Sequence, residues 1–301
     1  MIVVAGGTGM LGSRLVNGLA GQGLAVRVVT RDLYRAAHLA APGVEAICGD
    51  VRDRASLDPA LRGASIVISA VQGFAGPRGV SPTSVDQAGN ANLISAAARA
   101  GADFVLVSVV GASPAHPMEL FRAKHAAEET LRGSGIAWTI VQATAFMETW
   151  GTILGRRLPD SGKILVFGRG DNPINFVSAT DVAALLSRVV TSPSLRGQVL
   201  QLGGPDNLTF NQFAVILQQA TGCCGTIGHI PRSVLRTIAL TAGQLKPALA
   251  RQARAALVMD SLRMTFDPAP TRRALPGLPE TALLSALTEC WPGRARSRGQ
   301  G

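Results

Sequence analysis

The chain has 301 residues, 47% of them hydrophobic, with a formal net charge of +10. That length suits one large α/β domain, or a nucleotide domain with a smaller partner, and leaves ample apolar material for a core. No apolar run reaches the ~18–20 residues of a membrane-spanning helix, and the first predicted strand begins at Met1, leaving no room for a signal peptide, so a cytoplasmic protein is expected.

The first dozen residues organise the rest. Ile2 to Ala5 form an apolar run suited to a buried parallel strand. The run breaks at Gly6-Gly7, and a helical pattern follows with Leu11, Leu15 and Leu19 on one face. Gly6, Gly9 and Gly12 fall three apart. Between a strand and a helix, that spacing permits a tight turn, close approach of backbone N–H groups to a pyrophosphate, and tight strand–helix packing. The helix N-terminus then offers free N–H groups and a partial positive charge to an anion. Dinucleotide binding is the expectation.

Short apolar runs then alternate with amphipathic stretches, the signature of a right-handed, mostly parallel sheet. Strands are predicted at about 1–5, 25–30, 44–48, 65–71, 103–109 and 136–142. Helices are predicted at about 10–22, 33–40, 54–62, 84–101 and 118–134. The fold class is α/β, a Rossmann-type doubly wound sheet over 1–143 with a small C-terminal α/β substrate region over 144–293. In that region Asp181 is expected to open a helix over Val182–Val190, a strand follows at Val199–Leu202, and a basic amphipathic stretch covers about 232–263. The region is expected to pack on the nucleotide domain as a lid.

Residues 229–301 carry 11 Lys/Arg against 4 Asp/Glu, and 294–301 read as a basic flexible tail. A solvated helix face plus a frayed end is the favoured account, with an acidic partner or membrane surface as the alternative. No specific nucleic-acid binding is expected. The four cysteines, Cys48, Cys223, Cys224 and Cys290, show no disulfide or zinc spacing, and the adjacent Cys223-Cys224 pair is read as incidental. No metal is expected.

At the end of the second strand stand Thr30-Arg31-Asp32. An acidic residue there accepts from the ribose 2′-OH of NAD, whereas an arginine suits the 2′-phosphate of NADP. Arg31 lies nearest the strand end, with Arg14 and Arg35 able to converge on the same spot, so NADP(H) is favoured over NAD(H). A charge-assisted contact of about 1.5–3 kcal/mol corresponds to roughly a 10–150-fold preference. Asp32 is the complication, since a shift of one residue brings a carboxylate there instead. After the third strand, Asp50 can accept from the adenine amino group, and Asp53 reads as a helix N-cap.

Taken together, Gly6-Gly-Thr-Gly-Met-Leu-Gly12, Thr30-Arg-Asp32, Gly49-Asp-Val-Arg-Asp53 and Val67-Ile-Ser-Ala-Val71 resemble the atypical short-chain dehydrogenases/reductases, and within them the NmrA-like and isoflavone-reductase-like group. Phe104 to Ala112, Phe121-Arg-Ala-Lys124 with Glu128, and Phe176 to Ala183 agree, and the resemblance spans about residues 1–290. It implies a cofactor loop of Gly6, Thr8, Gly9, Met10, Leu11 and Gly12, and Arg31 at the adenosine phosphate. It further implies Asp50 and Val51 at the adenine, and Ala70, Val71 and Gln72 along the ribose. Phe146 would lie near the nicotinamide, and Lys124 at the nicotinamide ribose. Ser108 resembles the superfamily's catalytic serine position, though a strand-end hydrogen-bonding role fits as well.

The usual Tyr-x-x-x-Lys pair is missing, because Leu120 stands four residues before Lys124 and the sole tyrosine is Tyr34. The candidate catalytic residues are therefore Lys124 and His116, the latter in the loop after the fifth strand. Two functions follow: an NADPH-dependent reductase of a small quinone, enone or carbonyl substrate, or an NADP(H)-binding sensor or scaffold without turnover. An epimerase or dehydratase is the remaining option, and a monomer or homodimer is expected.

Overall fold

The computed structural model of the protein describes residues 1–222 and 225–291. The Cys223-Cys224 pair and the basic tail at 294–301 lie outside the described residues. In chain order the first elements are β1 (Ile2–Ala5), α1 (Met10–Gly21), β2 (Val26–Thr30), β3 (Val44–Cys48), α2 (Arg54–Ala60) and β4 (Ile66–Ser69). Next come α3 (Ala88–Ala100), β5 (Asp103–Val109), α4 (Glu119–Arg132), β6 (Trp138–Ala143), β7 (Ala145–Phe146), α5 (Met147–Leu154) and α6 (Leu158–Ser161). The chain continues with β8 (Ile164–Phe167), β9 (Ile174–Val177), α7 (Ala179–Thr191), β10 (Val199–Leu202), β11 (Asn207–Leu208) and α8 (Phe210–Thr221). It closes with β12 (Ile227–Ile230), α9 (Arg232–Thr241), α10 (Pro247–Met259), α11 (Ala269–Ala274) and α12 (Leu283–Cys290).

Two compact units result. The first joins Met1–Ala143 to Val182–Gln201, and the second joins Thr144–Asp181 to the described residues from Leu202 onward. The first unit holds a seven-stranded sheet in the order β3-β2-β1-β4-β5-β6-β10. The pairs from β3 through to β6 are parallel. β1 and β4 are buried along their whole length, which is why their sequences are continuous apolar runs without alternation. Val3, Val67, Phe104 and Leu106 meet Leu57, Leu93 and Leu131 in the core of this unit. The strand order reverses between β1 and β4, and in such sheets ligands bind beyond the carboxyl ends of the strands at the reversal.

Local differences from the sequence expectations have identifiable causes. The helix expected at 33–40 is a 3₁₀ helix, Leu33–Leu39, begun by the Asp32 carboxylate accepting from the Tyr34 N–H. The helix expected from 84 starts earlier as a π-helical turn, Pro82–Gln87, because Ser81 and Ser84 form a capping box with proline at the first position. α7 starts at Ala179, before the expected Val182, because the Glu148 carboxylate accepts the Ala179 N–H at 3.0 Å. Asp181 lies within its first turn, taken up by the N–H and hydroxyl of Thr281.

The second unit is built differently. Its sheets are short, β11-β9-β7 and β12-β8, and an aromatic group of Trp150, Phe167, Phe176, Phe210 and Phe213 fills its centre. Asn175 stitches the Gly204 turn through both of its amide atoms. The basic stretch at 232–263 is a hairpin of α9 and α10.

Candidate functional site

The site begins where β1 turns into α1. Gly6 has φ +85°, a conformation open to glycine at little cost. A Cβ on Gly6 would stand 2.7 Å from the Ala70 carbonyl oxygen, at the end of the neighbouring β4. A Cβ on Gly12 would stand 2.2 Å from the Gly6 carbonyl oxygen. Both glycines are therefore demanded by close backbone approach, at the point where the strand order reverses. Gly9 caps α1 without a side-chain hydrogen bond, and the first turn, which holds Met10, Leu11 and Gly12, carries no acidic residue. Such a bare helix start, with Thr8 beside it, is the right cradle for a dinucleotide pyrophosphate. The residues fit the cofactor.

Lys124 reaches this region from α4. It is buried, yet its ammonium sits 3.0 Å from the Val71 carbonyl oxygen and 3.0 Å from Asp86 Oδ1. Asp86, fully buried, accepts the Gly73 N–H at 2.8 Å through its other oxygen. Burial pushes the Asp86 carboxyl above the ordinary carboxylate range, against the pull of Lys124 and the Gly73 N–H. Behind it, Asn90 donates to the Asp86 carbonyl oxygen at 2.6 Å and pairs with the Ser69 hydroxyl. The loop carrying Ala70, Val71 and Gln72 is thus held by a polar chain running from β4 through α3 to α4.

Asp86 and Asn90 are absent from the sequence expectations. The signal available was their spacing, four residues apart, which puts two polar groups on one helix face.

After β2, Arg31 and Asp32 differ in their hydrogen bonding. Asp32 is committed to capping the 3₁₀ helix, while Arg31 is exposed and makes no ion pair among the described residues. Arg14 instead donates to the Met10 carbonyl oxygen. The Asp50 carboxylate is held by the Arg52 guanidinium at 2.6–3.1 Å, and Arg52, with Arg31 further off, keeps it below the usual carboxylate range. An adenine contact by Asp50 must therefore share an occupied carboxylate. The Val51 carbonyl oxygen accepts from Asn92. Asp53 caps α2 as expected, accepting from the Ala55 N–H.

The Ser108 hydroxyl donates to the buried Glu128 carboxylate, which also accepts from Gln142 at 2.8 Å, so the strand-end reading describes its environment. His116 stacks on Phe121 at 4.0 Å between centroids, and its Nδ1 accepts the Met118 N–H. Burial holds its imidazole below the ordinary histidine value. Phe146 lies in the second unit, in β7, opposite Val177 of β9. Tyr34 is 92% exposed.

Over residues 6–193 the chain matches the NAD(P)H-binding family. The NAD(P)H azoreductase of Xenophilus azovorans is 29% identical over 272 residues, covering 90% of this chain and 87% of that protein. Quinone oxidoreductase 2 of Escherichia coli (strain K12) is 26% identical over 290 residues, covering 96% of this chain and 98% of that protein. A crystal structure of the NADPH-dependent quinone oxidoreductase from Escherichia coli, complexed with NADPH, has a TM-score of 0.78 at 24% identity, covering 97% of this chain and 100% of that one, and so shares the fold. The match over more than half the chain and the glycine cradle at the strand reversal agree, and the chain belongs to the NAD(P)H-binding family, as an oxidoreductase of the atypical short-chain dehydrogenase/reductase type in the NmrA-like group.

Proposed function

We propose that the protein uses NADPH to reduce small quinone-type or azo-type substrates, without a tyrosine acid. The observation that carries this reading is the fixed Lys124 ammonium. It has three N–H donors, and two are spent on Asp86 and Val71. The third is left for a ribose hydroxyl of the cofactor. The Gly6–Gly12 turn and the start of α1 hold the pyrophosphate, and Arg31 meets the 2′-phosphate, which sets the preference for NADP(H) over NAD(H).

When bound, NADPH supplies a hydride, and one proton from the medium completes the two-electron reduction of a quinone to its hydroquinone. A quinone suits a site with few acids, because the reduced oxygen anions are stable enough to be protonated by water. Lys124 orients and holds charge in this account. His116 stays neutral near pH 7, since burial lowers its proton affinity, and with Nδ1 accepting from Met118 its proton sits on Nε2.

A second reading, an NADP(H)-binding sensor or scaffold, is favoured by one fact: the sole tyrosine lies on the surface, away from Lys124. The test is NADPH consumption with a panel of naphthoquinones, azo dyes and enones. Quinone- or azo-dependent turnover is expected. Tight NADPH binding with no turnover across the panel would establish the second reading instead.

A further inference from the structure

Between Asp206 and Asp260 the sequence contains no Asp or Glu, yet it carries Arg232, Arg236, Lys246, Arg251 and Arg254. The structure folds most of this stretch into the α9–α10 hairpin. The inner faces meet through Leu235, Ala239, Ala253 and Ala256, with Ile238 and Leu257 packed against them. Two of the cations serve the fold: Arg232 pairs with Asp260 at 2.8 Å, and Arg254 donates to the Ala239 carbonyl oxygen at the end of α9. Arg236 and Lys246 are exposed, and neither side chain meets a carboxylate among the described residues.

The tip of the hairpin presents bare leucines. Leu240 is 83% exposed and Leu245 90% exposed, and Leu249 follows on α10, 40% exposed. Arg236 and Leu240 stand four residues apart on α9, on one face, turned away from Leu235 and Ala239. Scattered surface leucines are ordinary. Two nearly bare leucines five residues apart, with Arg236 and Lys246 nearby in the chain and meeting no carboxylate among the described residues, are a different arrangement.

We infer that the α9–α10 hairpin docks on an anionic membrane surface, with Leu240 and Leu245 entering the acyl boundary and Arg236 and Lys246 lying among the headgroups. An interfacial segment combines an apolar edge with lysine and arginine, and the negative leaflet draws in such cations within a Debye length. A second copy of this chain is opposed by charge, because two identical cationic tips would face each other. The docking is independent of the redox reading, and either can fail without the other.

Flotation of the full chain with vesicles tests it. Equimolar phosphatidylcholine and phosphatidylglycerol vesicles should bind at least about tenfold more protein than pure phosphatidylcholine, with the difference shrinking at high salt. Leu240→Glu with Leu245→Glu, and separately Arg236→Glu with Lys246→Glu, should each reduce binding about tenfold or more. Melting temperature and NADPH affinity should stay at native values, which separates lost docking from lost folding. Three results would overturn the inference. The first is no vesicle binding by the native chain. The second is binding that survives both double variants but disappears on deleting residues 294–301. The third is self-association, seen by sedimentation, that the leucine variant abolishes while the native chain ignores vesicles.

Discussion

Asp86 and Asp260 are both fully buried carboxylates, one in each unit, and they are supplied very differently. Asp260 accepts the N–H groups of Arg169 and Gly170 at 2.8 and 3.1 Å and the Arg232 guanidinium at 2.8 Å, with the Arg169 guanidinium nearby. A Cβ on Gly168 would stand 2.3 Å from its carboxyl carbon, so the loop is wrapped closely around it. Asp86 has one ammonium and one N–H, and burial raises its proton affinity. A carboxylate saturated by donors closes a loop. One that is undersupplied and shares a lysine near the strand reversal fits the proposed cofactor site, where its partner has a third donor to offer.

The largest expected effect sharpens that contrast. Lys124→Met removes the one cation paired with Asp86 among the described residues and leaves a buried, uncompensated charge, which should cost about 3–5 kcal/mol of stability. Adding Asp86→Asn should recover most of the loss in a denaturant titration. Activity lost in Lys124→Met alone would therefore mix chemistry with unfolding, and the double variant is the fair comparison. A double variant no more stable than the single one would show that the two side chains are not coupled.

Asp260→Asn keeps the shape and loses the charge. It should lower stability by about 1.5–3 kcal/mol, the range for hydrogen bonds to charged groups, and leave NADPH affinity as it was. A parallel drop in affinity would erase the distinction drawn between the two carboxylates.

The glycine turn was legible because it is local: Gly6, Gly9 and Gly12 announce close backbone approach within seven consecutive residues. Asp53 was legible for the same reason, as a cap beside its own helix. Lys124 was identified through the resemblance. Its partner Asp86 was hidden, since the pairing depends on how α3 and α4 flank β4 and β5, which one sequence does not state. Ser108 left two readings open in the sequence, the superfamily's serine position and a strand-end hydrogen-bonding residue; its hydroxyl donates to Glu128, an acid brought to it by α4. Beyond residue 143 the pattern fades because β7 and β11 are two residues long and their order is held by single side chains such as Asn175 and Glu148.

Arg31→Glu should narrow or reverse the preference for NADPH over NADH, which is expected at roughly 10–150-fold in the native protein. Equal affinities of the native protein for both cofactors would remove Arg31 from the adenosine phosphate.

A smaller effect follows from proton affinity. Because the Asp86 carboxyl is raised in the folded protein, the folded chain keeps a proton there over a pH window in which the unfolded chain has released it. This group's contribution to stability therefore falls as pH rises through that window. Protonation also frees Lys124 from its carboxylate. NADPH affinity should weaken on acidification with a midpoint above the ordinary carboxylate value of ~3.9, and Asp86→Asn should flatten that limb. A profile unchanged in the variant would assign the titration to another group.

The most direct test of the central claim is titration calorimetry of NADPH with Asp86→Asn and Asp260→Asn at neutral pH, beside the native protein. If Asp86 positions Lys124 for the cofactor, the first variant should bind NADPH about tenfold more weakly, a shift of ~1.4 kcal/mol, and the second should match the native protein. Native affinity in Asp86→Asn, or equal weakening in both variants, would contradict the claim.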